Sequence, residues 1–195
     1  MNLKDRWNKY KSRKKSAIIS DFFLVALIVV MLVPSWRREV GALVVRVVMT
    51  SPDIEEMQPE KLSQSALTLT YRDDNGVAYQ LGQMLDKPVL LTYWATWCHH
   101  CVAELPALAE LHEKTSNDIH LIILVNEDLG KVNSYLQQKG YDLPVFKQLN
   151  AAAPMISSKK IPASFLIDRS GNLVLKETGA TKWGSDRFIS YVKSL

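Results

Sequence analysis

The apolar and polar positions of the 195-residue chain form blocks that predict alternating strands and helices. Near-continuous apolar runs are typical of strands that are covered on both faces. Apolar residues at a spacing of three or four indicate helices instead. The predicted strands are residues 88–96, 119–125, 162–168 and 173–179, and the predicted helices are residues 129–140, 183–195 and a segment that follows residue 101. This order of elements indicates an α/β layered fold.

A hairpin pattern precedes these blocks. Two short β-prone runs flank the sequence Asp-Asp-Asn-Gly at residues 73–76. Asn75-Gly76 is a strong turn signal, because this dipeptide accepts a positive φ at little cost. We therefore expect an N-terminal β-hairpin, and the domain proper is predicted to begin near Ala66.

The first part of the chain is patterned differently. Residues 17–33 are apolar except for one charge near the start, Asp21, and they follow sixteen residues that hold seven Lys and Arg. A basic tail before an apolar run of this length predicts a membrane signal anchor whose N-terminus stays in the cytoplasm. A cleaved signal peptide is the alternative, but the sequence PSWRREV after Val33 offers no small-residue cleavage site.

These patterns divide the chain into four parts. They are a basic cytoplasmic tail at residues 1–16, a transmembrane anchor at 17–34, a juxtamembrane segment and linker at 35–65, and a domain at 66–195. Within the linker, the apolar run at residues 40–49 is expected to lie along the membrane surface or to form a short strand.

The charge of the chain is unevenly distributed. The net charge is +4, but from Val47 onward seventeen Asp and Glu outnumber fourteen Lys and Arg. The basic character thus belongs to the N-terminal tail. A nucleic-acid-binding domain would need a basic surface on its folded part, so this class of partner is not expected.

The two cysteines of the chain, Cys98 and Cys101, enclose His99 and His100. They follow a predicted buried strand and open a helix, where unpaired backbone N–H groups and the helix dipole favour an anion. We therefore expect Cys98 to be a thiolate near neutral pH. Cys101, one turn later, is placed to resolve a mixed disulfide by attacking the Cys98 sulfur. An imidazole at His100 is expected to stabilise the thiolate by charge or by a hydrogen bond.

Two other interpretations of these cysteines remain open. A zinc site needs four ligands and there is no second CxxC pair, although His112 or His120 offers further nitrogen ligands. Copper or zinc handling by Cys98, Cys101 and a histidine is the alternative function. A purely structural disulfide would close so short a loop that it constrains little of the unfolded chain. The working dithiol is the favoured prediction, with no metal as a resident group.

Two segments of the chain resemble those of a known family. The segment KPVLLTYWATWCHHCVAELP is similar to the active-site segment of the thioredoxin superfamily, specifically of its membrane-anchored TlpA/ResA-like thiol-disulfide oxidoreductases. A second segment, KKIPASFLIDRSGNLV, is similar to the family's cis-proline segment. The matching positions are Trp94, Ala95, Trp97, Cys98, Cys101, Glu104, Pro106, Ile161, Pro162, Phe165, Leu166, Ile167, Asp168 and Gly171.

The resemblance implies a thioredoxin fold: a central mixed β-sheet flanked by helices, with an N-terminal β-hairpin and one transmembrane helix before it. It implies that Ile161 and Pro162 dock substrate opposite the cysteines, and that Trp97, with His99 and His100, tunes the redox couple. Glu104 either assists proton transfer or is a solvated carboxylate in the first helical turn. Pro106 is expected to bend the active-site helix.

The chain departs from the family's pattern at four positions. His100 and Ala163 stand where Pro and Thr are common, Lys160 replaces a frequent Gly, and Thr92 occupies the position of the buried aspartate of thioredoxins. The missing aspartate leaves Glu104, a histidine or water to move protons. His100 favours an oxidant or isomerase, whereas the family often reduces its substrates, so the direction of electron flow stays open.

The resemblance also implies partners and a location. Protein thiols and disulfides are the expected substrates, and an upstream membrane or periplasmic redox protein is the expected electron partner. The catalytic domain is expected on the periplasmic side of the inner membrane. No organic cofactor is expected, because the two cysteines carry the electrons themselves.

Overall fold

A computed structural model describes residues 15–54 and 58–195 of the chain. The chain divides into two compact units, Met1–Val40 and Gly41–Leu195. All but the last two residues of the predicted basic tail lie outside the described residues. The predicted functional residues all belong to the second unit.

The N-terminal region contains two helices, α1 (Lys15–Leu32) and α2 (Pro34–Val48). The apolar run at residues 40–49, expected as a surface segment or a strand, is helical as far as Val48. Among the described residues, no helix combines the length and the apolar character that crossing a membrane requires.

The second unit is built around one mixed sheet of eight strands in the order β1-β8-β7-β4-β5-β6-β2-β3. The strands are β1 (Glu60–Lys61), β2 (Thr70–Arg72), β3 (Ala78–Gln80), β4 (Val89–Tyr93), β5 (His120–Val125), β6 (Val145–Gln148), β7 (Ala163–Ile167) and β8 (Asn172–Thr178). The helices are α3 (Gln64–Leu67), α4 (His99–Thr115), α5 (Leu129–Gln138) and α6 (Asp186–Ser194), with short 3₁₀ helices at Leu81–Gln83 and Pro154–Ile156. The predicted α/β layered fold with its N-terminal hairpin is confirmed.

The strands at the centre of the sheet are covered on both faces. Leu90 packs into the core on the face that carries α4, α5 and α6. Its neighbours Val89 and Leu91 pack into the core on the opposite face, with the hairpin and the 3₁₀ helices. This double burial is what the unbroken apolar run of β4 predicted.

The turns that join the strands are those the sequence indicated. Gly76 has φ +83° between β2 and β3, and Gly171 has φ +74° between β7 and β8. Glycine adopts these left-handed conformations without the steric cost that a Cβ brings. The strand β6 and the two-residue strand β1 are elements that the sequence pattern did not predict.

Candidate active site

The cysteines lie beyond the carboxyl end of β4, in the middle of the sheet. β4 pairs in parallel with β5, so the loops that follow both strands meet at the same edge. There Thr96 donates its backbone N–H and its hydroxyl to the two carboxylate oxygens of Glu127, at 2.7 and 2.5 Å. Glu127 follows β5, so this pair of hydrogen bonds anchors the loop that carries Cys98 to the neighbouring strand.

Cys98 is the N-cap residue of α4, with an extended backbone (φ −89°, ψ 110°). Its sulfur accepts a hydrogen bond from the backbone N–H of Cys101 at 3.2 Å. A hydrogen bond from the Cys101 thiol and bonds from the backbone N–H groups of Cys101 and His100 outweigh the effect of burial and lower the Cys98 pKa to about 7. A substantial fraction of Cys98 is therefore thiolate at neutral pH, as the position at a helix start predicted.

Cys101 is buried as Cys98 is, but its pKa shifts in the opposite direction. Its side chain is fully buried, and burial followed by the nearby Cys98 sulfur raises its pKa far above the ordinary value. Its carbonyl accepts a hydrogen bond of 2.8 Å from the indole of buried Trp94, which fixes the first turn of α4. Both cysteines are free thiols, so the structure is that of the reduced dithiol.

The predicted docking residues, Ile161 and Pro162, lie directly opposite the cysteines. The antiparallel register of β4 and β7 pairs Tyr93 with Ala163, which brings the preceding Pro162 to the cysteine end of β4. The peptide between Ile161 and Pro162 is cis, as the resemblance implied. The Cys98 thiol points at the Ile161 carbonyl, with 3.6 Å between sulfur and oxygen.

His99 and His100 form the first turn of α4. Their rings face each other, with 4.3 Å between centroids. Partial desolvation of the exposed His100 ring, followed by the charge of His99, lowers the pKa of His100 below its ordinary 6.5, so the ring is mostly neutral at pH 7. His100 acts on the Cys98 sulfur through its backbone N–H.

Trp97 projects from the active-site loop with 62% of its side chain exposed. It lines a cavity of about 400 Å³ next to the cysteines, together with Tyr93, Glu127, Lys159 and Ile161. Lys159 and Lys160 are both exposed beside the docking loop. Trp97 and the predicted docking residue Ile161 therefore line the same cavity beside the active-site loop.

Glu104 is fully buried in the first half of α4, which excludes the solvated carboxylate that the sequence left open. Burial raises its pKa well above the ordinary 4.5, and the Cys98 charge adds to the effect. One carboxylate oxygen accepts a 3.3 Å hydrogen bond from the Trp183 indole. The other oxygen has no hydrogen-bond partner among the described residues. A buried acid with a raised pKa beside a buried thiol is suited to proton transfer.

Thr92, where thioredoxins have their buried aspartate, carries no charge to the site. Its hydroxyl is buried and bonded to that of Ser164 on β7. Thr92 therefore cannot relay protons as that aspartate does, and Glu104 is the buried carboxyl group of the site that can. Electrostatic interaction of Glu104 with both cysteines is consistent with that role.

Sequence reasoning missed two residues of the site, Glu127 and Trp183. Glu127 lies in the loop after a buried strand, a position where functional side chains are common in α/β sheets, and this signal was available. Trp183 was assigned only to the start of the last helix. Its contact with Glu104 joins residues that are far apart in the sequence, and no local pattern indicates it.

Metal binding gains no geometric support. Within residues 15–54 and 58–195, no group of three or more His, Cys, Asp and Glu side chains is arranged to hold a metal ion. His120 instead pairs with Asp86 at 2.9 Å, and His112 lines a separate cavity beside α5.

Comparison with known proteins gives consistent matches. The Redoxin family model matches residues 52–193. The thiol-disulfide oxidoreductase ResA of a Bacillus cereus strain is 30% identical over 130 residues, which are 65% of this chain and 73% of that protein. ResA of Bacillus subtilis is 28% identical over 110 residues, or 55% of this chain and 62% of that protein.

Solved structures agree on the fold. A thioredoxin family thiol:disulfide interchange protein from Chlorobium tepidum superposes with a TM-score of 0.53 at 23% identity, covering 71% of this chain and 99% of that one. A putative thiol:disulfide interchange protein DsbE from Chlorobium tepidum gives 0.54 at 20% identity, covering 71% and 95%. The second unit therefore has a thioredoxin fold, as the sequence predicted.

Proposed function

The chain belongs to the Redoxin family, as a ResA-like member of the thioredoxin superfamily, and from that membership we propose that Cys98 and Cys101 exchange disulfides with protein substrates outside the cytoplasm. Thiol-disulfide oxidoreductase activity follows from the family itself. The observation that carries the assignment to these residues is the pair of opposite pKa shifts. Cys98 has a lowered pKa, and buried Cys101 has a strongly raised one.

The proposed reaction has two steps. The Cys98 thiolate attacks one sulfur of a substrate disulfide, so that a mixed disulfide forms and the other substrate sulfur leaves as a thiolate. Cys101 then loses its proton and attacks the Cys98 sulfur. This forms the disulfide between Cys98 and Cys101 and releases the second substrate thiol. The substrate gains two electrons, the protein loses two, and no organic cofactor is needed.

The second step needs a proton acceptor, because the Cys101 thiol is neutral at pH 7. We assign this role to Glu104, which interacts electrostatically with Cys101 from within the core. The negative charge of Cys98 contributes to the raised pKa of Glu104, so formation of the mixed disulfide, which removes that charge, favours the ionised carboxylate that accepts the proton. The part of the shift that remains brings its proton affinity closer to that of a thiol, the condition for efficient transfer. In the reverse direction the same carboxyl group returns the proton.

The direction we favour is reduction of the substrate. The pKa of Cys98, about 7, is close to the ~7 of the reductant thioredoxin and lies well above the ~3.5 of the oxidant DsbA. A less stabilised thiolate makes the disulfide form relatively more stable, and the dithiol is then the better electron donor. An upstream redox protein would return the dithiol to its reduced form.

The reduction potential tests this direction. We expect a value near ~−270 mV, and a value between about −180 and −120 mV would assign the protein to oxidants or isomerases instead. Replacing His100 with proline is expected to make the potential more negative, because proline lacks the N–H that stabilises the Cys98 thiolate. His100→Ala is the matched control. It keeps that N–H and removes only a neutral ring, so a shift as large as that of His100→Pro would contradict the backbone mechanism.

Trapping of substrates tests the exchange reaction itself. In a Cys101→Ala variant the first step proceeds and the second cannot, so mixed disulfides between Cys98 and substrate proteins should accumulate. They would be seen as higher bands on non-reducing gels that disappear on reduction. A Cys98→Ala variant, which keeps the buried Cys101 thiol, is the control and should trap nothing. Equal amounts of adduct from both variants would remove Cys98 as the nucleophile.

The location is proposed from the N-terminal sequence. An apolar run at residues 17–33 follows seven basic residues, and large apolar side chains such as Phe22 and Phe23 are exposed on α1. The trapping experiment also tests this point when protease is added from outside before the cells are fractionated. Adducts that this protease cuts and that are found in the membrane fraction agree with an extracytoplasmic domain. Adducts confined to the cytosol refute it.

A further inference from the structure

The second half of α2, residues 41–48, packs against the active-site helix α4. Ala42 and Met49 are buried in the same core as the cysteines. Gly41 lies so close to His99 that an added Cβ would be 3.6 Å from the Cβ and Cγ atoms of that residue. This segment therefore contacts the residue that directly follows the nucleophile.

Arg46 bridges the segment and the helix. Its Nε donates a hydrogen bond to the Ala103 carbonyl at 3.1 Å, and its Nη2 donates one to the Val102 carbonyl at 3.3 Å. Carbonyl groups inside a helix are ordinarily occupied by the N–H four residues later. A side chain from another helix that binds two of them points to an interruption in α4.

Pro106 is that interruption. In a regular helix the N–H of residue 106 would bond to the carbonyl of Val102, and proline has no N–H. Val102 is itself nearly fully buried, where an unpaired carbonyl is costly. The guanidinium of Arg46 supplies a donor to the carbonyl that Pro106 leaves open, and a charged donor makes a stronger bond than a neutral one.

We propose that Arg46 is a positioning residue of the dithiol site, which replaces the hydrogen bond removed by Pro106 and thereby holds residues 41–49 across the start of the active-site helix. The part of this inference that concerns exchange rests on the proposed function. Neither Arg46 nor Pro106 contacts the reacting sulfurs. Arg46 acts through the backbone of residues 102 and 103 and through the position of Gly41 beside His99.

The test is a double-mutant cycle in the full chain with Arg46→Met, Pro106→Ala and both changes together. In the parent protein, Arg46→Met leaves the Val102 carbonyl without its donor. Hydrogen exchange at residues 41–49 and in the first turns of α4 should then speed up roughly tenfold or more, the effect of losing a hydrogen bond to a charged group. In the Pro106→Ala background the alanine N–H takes that carbonyl, so the added effect of Arg46→Met should be several-fold smaller. Equal effects in both backgrounds would overturn the proposed link to Pro106.

Disulfide exchange is the second readout. Arg46→Met is expected to slow reaction of Cys98 with a protein disulfide roughly threefold or more, chiefly through KM if the segment positions the docking surface. Arg46→Lys, which retains one charged donor, should recover part of the rate, and Arg37→Met on the same helix is a control that should leave it unchanged. A normal rate in Arg46→Met would refute the positioning role. A parent protein without exchange activity would refute the proposed function, and the hydrogen-exchange cycle would still decide the structural link.

Discussion

Replacement of Glu104 by glutamine is expected to slow the attack of Cys101 on the mixed disulfide by roughly 10²-fold or more, the usual contribution of a positioned acid or base. Glutamine has nearly the same shape and cannot accept the Cys101 proton. The first step should change much less, because Glu104 retains its proton while Cys98 is a thiolate, and the glutamine that replaces it is neutral as well. Reaction with Ellman's reagent separates the steps, since Cys98 releases one thionitrobenzoate and the attack by Cys101 releases the second.

The same substitution should alter stability in a pH-dependent way. Above about pH 4.5 the unfolded chain ionises Glu104, whereas the folded protein, with its raised pKa, retains the proton. Because the folded state then binds more protons, the free energy of unfolding falls as pH rises towards the folded-state pKa. Glu104→Gln lacks this component, so its stability relative to the parent protein should increase with pH.

Denaturant unfolding between pH 4 and pH 8 measures this difference. The matched control is Glu113→Gln, which removes an exposed carboxylate from the same helix and should change neither the second kinetic step nor the pH dependence of stability. If the free energy of unfolding changed with pH in the same way for Glu104→Gln and the parent protein, the pKa of Glu104 would not be raised by folding. A second step of undiminished rate would remove Glu104 as the proton acceptor.

Replacement of Phe165 by alanine is expected to lower the free energy of unfolding by roughly 3–5 kcal/mol, a large part of the ~5–15 kcal/mol of a typical domain. Phe165 is fully buried in β7. Its ring packs edge-on against Tyr93, with 6.0 Å between centroids, and Lys176 lies over it at 5.5 Å. Alanine would leave a cavity in the core on the face of the sheet that packs against the hairpin and the 3₁₀ helices.

Urea unfolding measures the loss, and Phe165→Leu serves as its control. Leucine retains most of the apolar volume and should cost much less than alanine, under about 1.5 kcal/mol if the core repacks. Because β7 begins directly after Pro162, the alanine variant should also slow disulfide exchange. Two variants of equal stability would show that the ring's packing contributes little here.

The sequence predicted the parts of this molecule that depend on local patterns. The central strand β4 follows from its apolar run, the hairpin from Asn75-Gly76, and the nucleophile from the place of Cys98 at a helix start. The role of Pro162 in docking substrate is implied by the resemblance alone and stays a prediction. Its place opposite Cys98 depends on the register of β4 and β7, which local pattern does not specify.

The parts that sequence reasoning left open or missed depend on contacts between distant residues. Glu104 had two interpretations because its burial depends on contacts with residues that are distant in the sequence. Trp183, which donates a hydrogen bond to its carboxylate, lies 79 residues later in the chain. His100 was expected to act through its ring, by charge or by a hydrogen bond. The lowered pKa of the ring makes its charge small at pH 7, and its backbone N–H contributes to lowering the Cys98 pKa as well. The helix at residues 41–48 has apolar residues on both sides, and only its packing on α4 determines which side faces inward.

The contact between Arg46 and α4 has a consequence for how the protein can be divided. The family match begins at residue 52, whereas the compact unit begins at Gly41. A fragment cut at the homologous boundary would carry both cysteines, the docking loop and Glu104. It would nevertheless lack the guanidinium that completes the active-site helix. We therefore expect that a catalytic fragment needs residues 41–51 in addition to the residues that match the family model.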